Sequence, residues 1–169
     1  QTLWAMSILA GSYEDSGRYK DAIKLQTQAL EISRKVLGAE HRNTLAIIGD
    51  LASYYRGSGR IDEALNLREE LLPLQQKVLG TEHPDTLAVM TNLAQSYSIA
   101  GRLDEAIALQ EESLAIKRRV LPPQHPYVAI AFKNLIMMYR NAGRIDEALN
   151  LAEDLLPLEQ KALGAEHPD

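Results

Sequence analysis

The sequence has no cysteine, one tryptophan, one phenylalanine and no uninterrupted apolar stretch of the length a bilayer requires. Without cysteine there is no disulfide framework and no thiolate site. A spanning helix needs about 20 consecutive apolar residues, so no transmembrane segment is read. No signal peptide precedes the first helical pattern, which points to a soluble, cytoplasmic chain with no membrane partner. A basic surplus is missing as well: 18 Lys and Arg stand against 23 Asp and Glu, for a net charge of −5 and a pI near 5.4. Nucleic-acid binding needs clustered Lys and Arg, and here the densest basic run is residues 117–119, so a nucleic-acid partner is excluded. No Gly-rich phosphate loop, nucleophile phrase or Ser/His/Asp constellation is present. Neighbouring carboxylates such as Glu69 with Glu70 and Glu111 with Glu112 read as solvated helix surface. The expectation is a chain with no enzyme activity and no cofactor.

What is present repeats. The phrase GRYKDA at residues 17–22 returns as GRIDEA at 59–64, GRLDEA at 101–106 and GRIDEA at 143–148, each 42 residues after the last. A second phrase keeps the same step, LGAEH from Leu37, LGTEH from Leu79, LPPQH from Leu121 and LGAEH from Leu163. Tyr13, Tyr55, Tyr97 and Tyr139 recur in register with both. Three independent markers at one interval define a repeat array. Repeats of approximately 1–42, 43–84, 85–126 and 127–169 use the whole chain, so a single array is expected, with no room for a separate domain. Both ends fall inside the repeat, which reads as a segment of a longer array.

Each unit divides into two amphipathic stretches. In the third, Leu87, Met90, Leu93, Ala94 and Tyr97 recur at three- and four-residue steps, then Leu103, Ala106, Ile107, Leu114 and Val120 form a second stripe. Asp85 after Pro84 is placed to cap the first helix, Gly101 to end it, and Asp104 and Glu105 put negative charge in the first turn of the second. The spacing predicts first helices near 2–16, 43–57, 85–100 and 127–142, and second helices near 19–37, 61–79, 103–121 and 145–163. Turns of two or three residues force antiparallel hairpins, which must stack on neighbours to bury their faces. No strand pattern competes, so the fold class is all-α.

Small residues mark the close approaches. Ala22, Ala64, Ala106 and Ala148 close the turn phrases, and Ala10, Ala52 and Ala94 hold the matching place on the first helices, where the fourth unit has Ile136. Pro73 and Pro157 lie inside second helices and remove a backbone hydrogen bond each, so kinks are expected there. Residues 59–85 and 143–169 agree at 22 of 27 positions, so a deeper period of two units is also readable.

Asn92, Leu93, Ala94 and Tyr97 followed by Gly-Arg-x-Asp-Glu-Ala resemble the tetratricopeptide repeat (TPR). The 42-residue length and the linker L-G-x-E-H-P-D-T at residues 79–86 are similar to the longer variant found in kinesin light chains. The resemblance implies an α-solenoid of four antiparallel helix pairs forming a right-handed superhelix, a scaffold whose first helices line a concave groove for a peptide or partner segment. In relatives an asparagine just before the Leu-Ala pair binds the ligand backbone. Asn92 and Asn134 match it, whereas Asp50 and Ile8 depart from it. The same helical geometry turns Thr91, Gln95, Ser98, Lys133, Met137 and Arg140 to the groove, with Ser53 and Arg56 from the second unit.

Arg56, Lys133 and Arg140 would form a basic strip selecting an acidic peptide, against the alternative of an ordinary solvated mix that includes Glu14 and Asp50. Met137 is a ligand contact or packing, Met138 is packing, and Trp4 either lines the groove or meets a preceding repeat. His41, His83, His125 and His167 come one per repeat, too dispersed for a metal site, and read as structural parts of the linker. Two alternatives to a protein- or peptide-binding scaffold stay open. One is a self-associating spacer, because Leu149, Leu155, Leu156 and Leu158 have no following helix to cover them. The other is the sensor array of a larger signalling protein.

Overall fold

The computed structural model describes residues 2–166, with side chains through residue 161. Among these residues all regular structure is helical, in eight elements: α1 (Thr2–Asp15), α2 (Tyr19–Val36), α3 (Arg42–Gly57), α4 (Ile61–Leu79), α5 (Pro84–Ile99), α6 (Leu103–Val120), α7 (Pro126–Asn141) and α8 (Ile145–Glu166). Seven of them match the expected bounds to within a residue or so. The eighth runs through Leu163 and Gly164, where a linker was expected. The same phrase at residues 37–41 does end a helix, and there the Thr44 hydroxyl from the next helix donates to the Gly38 carbonyl at 2.7 Å. His167 lies outside the described residues.

The recurring turn phrase is a small machine for reversing the chain. Gly17, Gly59, Gly101 and Gly143 adopt φ between 72° and 79°, a region that favours glycine. The following amide reaches back five residues, Arg60 N to the Tyr55 carbonyl at 2.9 Å and Arg102 N to the Tyr97 carbonyl at 2.9 Å. Each arginine then does two jobs. Its guanidinium lies over the preceding tyrosine ring, at 4.4, 4.5, 4.2 and 4.6 Å for Arg18, Arg60, Arg102 and Arg144. It also pairs with the acid three residues on, which is Asp21, Glu63, Glu105 or Glu147. Those hydrogen bonds hold Glu63, Glu105 and Glu147 below the usual carboxylate range. Tyrosine, glycine, arginine and acid thus recur together because each hairpin uses all four.

The core divides into two compact units, Gln1–Val89 and Met90–Asp169. In the first, Ile23, Leu30, Leu45, Ile48, Leu51 and Leu71 are buried together; in the second, Ile107, Leu114, Val128, Phe132, Leu135 and Leu155 are. The predicted small residues sit at the closest approaches. Ala10, Ala22, Ala52, Ala64, Ala94 and Ala106 are wholly buried and Ala148 nearly so. Gly57 marks one more such place, since a Cβ there would stand 2.4 Å from the Tyr19 ring.

One capping expectation is corrected. Asp85 does not cap α5. The helix begins at Pro84, and the Asp85 amide donates to Nδ1 of His83 at 3.2 Å. His41 and His125 accept likewise from the amides of Asn43 and Tyr127, at 3.1 and 3.2 Å. Proline fits the first helical position because it has no amide to satisfy, which moves the cap two residues upstream, from Asp85 onto the His83 imidazole. His41, His83 and His125 are helix caps. Pro73 lies inside a helix that stays continuous, as does Pro157.

Candidate functional site

The inner face of every first helix is fixed by the core, so its outer face is where the chain has freedom. In the first unit α3 turns Ala46, Asp50, Ser53 and Arg56 outward. The Ser53 hydroxyl donates to the Gly49 carbonyl at 3.1 Å and so is occupied locally. Asp50 accepts from Gln26 of α2 at 3.2 Å. The residue is open to solvent overall, yet partial desolvation of its carboxyl and the charge of Glu14 push its pKa up, against the pull of the Gln26 bond. Arg56 is exposed, and it lies close enough to the buried Arg68 to matter: burial, with the Arg56 charge added, pulls the Arg68 pKa down to about 10. The face of this unit therefore carries both signs of charge.

In the second unit the candidate residues fall into two groups. Asn92 is exposed, and Gln95 and Ser98 are half-buried on α5. Thr91 accepts from the ammonium of Lys117, on α6, at 2.7 Å. That lysine is buried, which lowers its pKa to about 8. On α7, Lys133, Met137 and Arg140 are exposed. Lys133 is not idle, because its ammonium pairs with Glu159 of α8 at 2.7 Å. Asn134 differs from Asn92. It is half-buried, and its amide nitrogen is shielded without a partner among the described residues. Gln110 of α6 donates to the Ala131 carbonyl at 3.1 Å, and its own oxygen is likewise shielded and unpaired. The counterparts of this pair two repeats earlier, Gln26 and Asp50, are bonded to each other.

The residues that sequence reasoning passed over are apolar. Tyr127, Ile130 and Met137 of α7 are 60 %, 47 % and 57 % exposed, and of these only Met137 was singled out. Met138, next to it, is buried as expected. On α1, Trp4 and Ile8 are exposed too. The signal was available in the repeat itself, since Ile130 stands where α3 and α5 have Ala46 and Ala88.

Among the described residues no three His, Asp or Glu side chains gather closely enough to hold a metal ion. None of the described helices is long and apolar enough to cross a membrane.

Comparison with known proteins agrees with this geometry. A tetratricopeptide repeat profile matches residues 1–74 and 48–119, and a second profile of the same repeat matches residues 133–169. No protein of curated function matches. Among solved structures, the nearly identical TPR-like repeats assigned to a kinesin light chain of Podosopora anserina share 34 % identity, over 99 % of this chain and 79 % of that one, with a TM-score of 0.88. BtubC (BKLC) from P. vanneervenii is 24 % identical over 99 % of this chain and 66 % of its own, with a TM-score of 0.87. The apo form of RapI shares the fold at 13 % identity, over 95 % of this chain and 56 % of its own, with a TM-score of 0.79. The chain is an all-α solenoid of the tetratricopeptide repeat family, with repeats of the kinesin light chain-like kind.

Proposed function

We propose that this chain is a protein-interaction scaffold, which engages a peptide or partner segment through the outer faces of its first helices. The observation that carries this reading is the contrast on α7. Its inner residues Phe132 and Leu135 are wholly or almost wholly buried, while Tyr127, Ile130 and Met137 stay open to solvent. Large apolar side chains clustered outside a core are the ordinary mark of an interaction surface. Lys133 and Arg140 flank them and favour an acidic ligand, mainly through selectivity and encounter rate. Asn92, open to solvent on α5, is a group able to bond a ligand backbone, with Gln95 beside it and Asn134 one repeat on; Arg56 supplies a cation in the other unit.

The test is a displayed-peptide selection, with the Asn92→Ala, Asn134→Ala double variant as counter-selection. A shared motif enriched on the wild-type protein and lost on the variant is expected. Absence of any enriched motif, from material with intact helical circular dichroism, contradicts the reading.

A second reading, self-association, rests on α8. Leu149 and Leu156 are 58 % and 56 % exposed, whereas their repeat-three counterparts Ile107 and Leu114 are 2 % and 5 % exposed. Light scattering over a concentration series decides it, because a strict monomer at high concentration removes this reading.

A further inference from the structure

Second helices pack on the first helices that follow them, α2 on α3 and α6 on α7. They do so in rows. Between α2 and α3, Ile23 and Leu30 are buried with Ile47 and Leu51. Beside this apolar row Gln26 donates to Asp50, and the Ser33 and Thr44 hydroxyls bond each other at 2.8 Å. On the same side Arg34 of α2 pairs with Glu70 of α4. Between α6 and α7 the corresponding places hold Ile107 and Leu114 with Ala131 and Leu135. Gln110 there shares a row with Asn134, and Lys117, whose row partner is the apolar Val128, turns back to Thr91 instead.

Two further faces carry the same rows and stay largely open to solvent. On α8, Leu149, Ala152, Leu156, Glu159 and Gln160 stand at the places of Ile23, Gln26, Leu30, Ser33 and Arg34. On α1 and α2, Thr2, Ala5, Ile8, Leu9 and Gln28 stand at the places of Thr44, Ile47, Asp50, Leu51 and Glu70. Leu9 is 46 % exposed, against 3 % and 2 % for its counterparts Leu51 and Leu135. A repeat face left in water is normally made polar. These two keep the apolar row of the interior.

The two open faces match each other where they depart from the rest. Gln26 meets Asp50, and Gln110 shares a row with Asn134, but on the open faces that row is apolar on both sides, Ala152 and Ile8. An aspartate at the place of Ile8 would find no amide on Ala152, and a buried polar group without a partner is costly. Arg34 pairs with Glu70, and Arg118 shares a row with Asp154; on the open faces that row is Gln160 and Gln28, two neutral carboxamides able to bond each other. The row of Ser33 and Thr44 becomes Glu159 and Thr2, a carboxylate and a hydroxyl able to donate to it. Leu9, Leu25 and Gln28 also line a hollow of about 210 Å³, open to an incoming side chain.

Resting on the self-association reading above, we propose that copies of this chain join head to tail. The α8 face of one copy docks on the α1 and α2 face of the next, in the register by which α2 docks on α3. A second copy is the occupant because both faces depart from the repeat in the same rows, and each departure on one is answered on the other. The contact is heterologous, so a joined pair still presents one open face of each kind and takes up further copies.

Two variants that each close one face test this by sedimentation velocity. Leu9→Glu closes the α1 face and Leu156→Glu the α8 face. Both leucines are exposed, so the variants should fold, and circular dichroism checks that they do. Wild type should grow past a dimer as its concentration rises, while each variant alone stays monomeric. Mixed in equal amounts, the variants should form a dimer and nothing larger, because each supplies the face that the other lacks. Ile8→Asp should weaken association at least about tenfold, as for loss of a central interface contact, and adding Ala152→Gln to the same chain should restore it. Either face-closing variant dimerising alone shows a face pairing with its own kind, which overturns the head-to-tail inference and leaves self-association standing. Variants that stay monomeric when mixed, while wild type associates, overturn it as well. So does an Ile8→Asp, Ala152→Gln protein that associates no better than Ile8→Asp. A strict monomer of wild type at high concentration overturns both the inference and the reading beneath it.

Discussion

Helices α3 and α7 occupy the same place in two different repeats; both are apolar on the inner side, and they differ in kind on the outer one. Inward, α3 buries Leu45, Ile48, Leu51 and Ala52, while α7 buries Phe132, Leu135 and Met138 and keeps Ile136 half-buried. Outward, α3 shows Ala46 and Asp50 with Ser53 half-buried, all small or polar, where α7 shows Ile130 and Met137 with Asn134 half-buried. Packing against neighbouring helices constrains the inner positions to apolar residues of fitting volume. Nothing within the repeat constrains the outer ones, so their chemistry is open to selection by a partner. Repetition builds the scaffold, and departure from repetition marks the binding surface.

The sharpest way to break that comparison is to truncate adjacent sides of α7. Phe132→Ala, at a wholly buried side chain, should cost about 3–5 kcal/mol in chemical denaturation. Met137→Ala should stay within about 0.5 kcal/mol, as surface changes do. Equal losses would dissolve the distinction between the two faces.

The buried Lys117 comes next. It occupies the position that Ser33 and Gln75 hold in the first unit, with its ammonium bonded to Thr91. Burial lowers its pKa to about 8, so between that pH and the ordinary lysine value the unfolded chain binds more protons than the folded one. Stability should therefore rise with pH from about 8 toward 10 relative to Lys117→Met, by at most about 3 kcal/mol. Parallel stability curves for the two proteins would show that the amine is not desolvated.

Ala106→Leu should cost on the order of 1–3 kcal/mol, because the close approach of α5 and α6 leaves no room for a larger side chain. His125→Ala should cost about 1 kcal/mol through the lost cap on α7. A variant as stable as wild type at either position would remove the corresponding assignment.

Much of this was readable from the chain, for a physical reason. Helix lengths, turn glycines and the buried alanines are set by contacts within one 42-residue unit, and four copies repeat the evidence. Individual side-chain pairs between helices were less legible. Nothing in the sequence says that Lys133 finds Glu159, 26 residues away, or that Gln110 reaches the Ala131 carbonyl. Aspartate is the commoner cap, which pointed to Asp85, yet the helix starts at Pro84 and the imidazole of His83 stands just before it. The candidate site followed the asparagine register of the resemblance, which led to Asn92 and Asn134 and passed over Tyr127 and Ile130. Ile130 breaks the register of Ala46 and Ala88 and could have been noticed there, but that both residues stay exposed is visible only in the fold.

The chain has four methionines, and two are neighbours on opposite sides of this comparison. Methyl NMR of the methionine-labelled protein, titrated with an enriched peptide, tests the account most directly. The Met137 methyl should shift or broaden on ligand addition while the buried Met138 and Met90 methyls hold their positions. Shifts at Met138 and Met90 with Met137 unmoved would contradict it, placing the response in the core and the binding surface elsewhere.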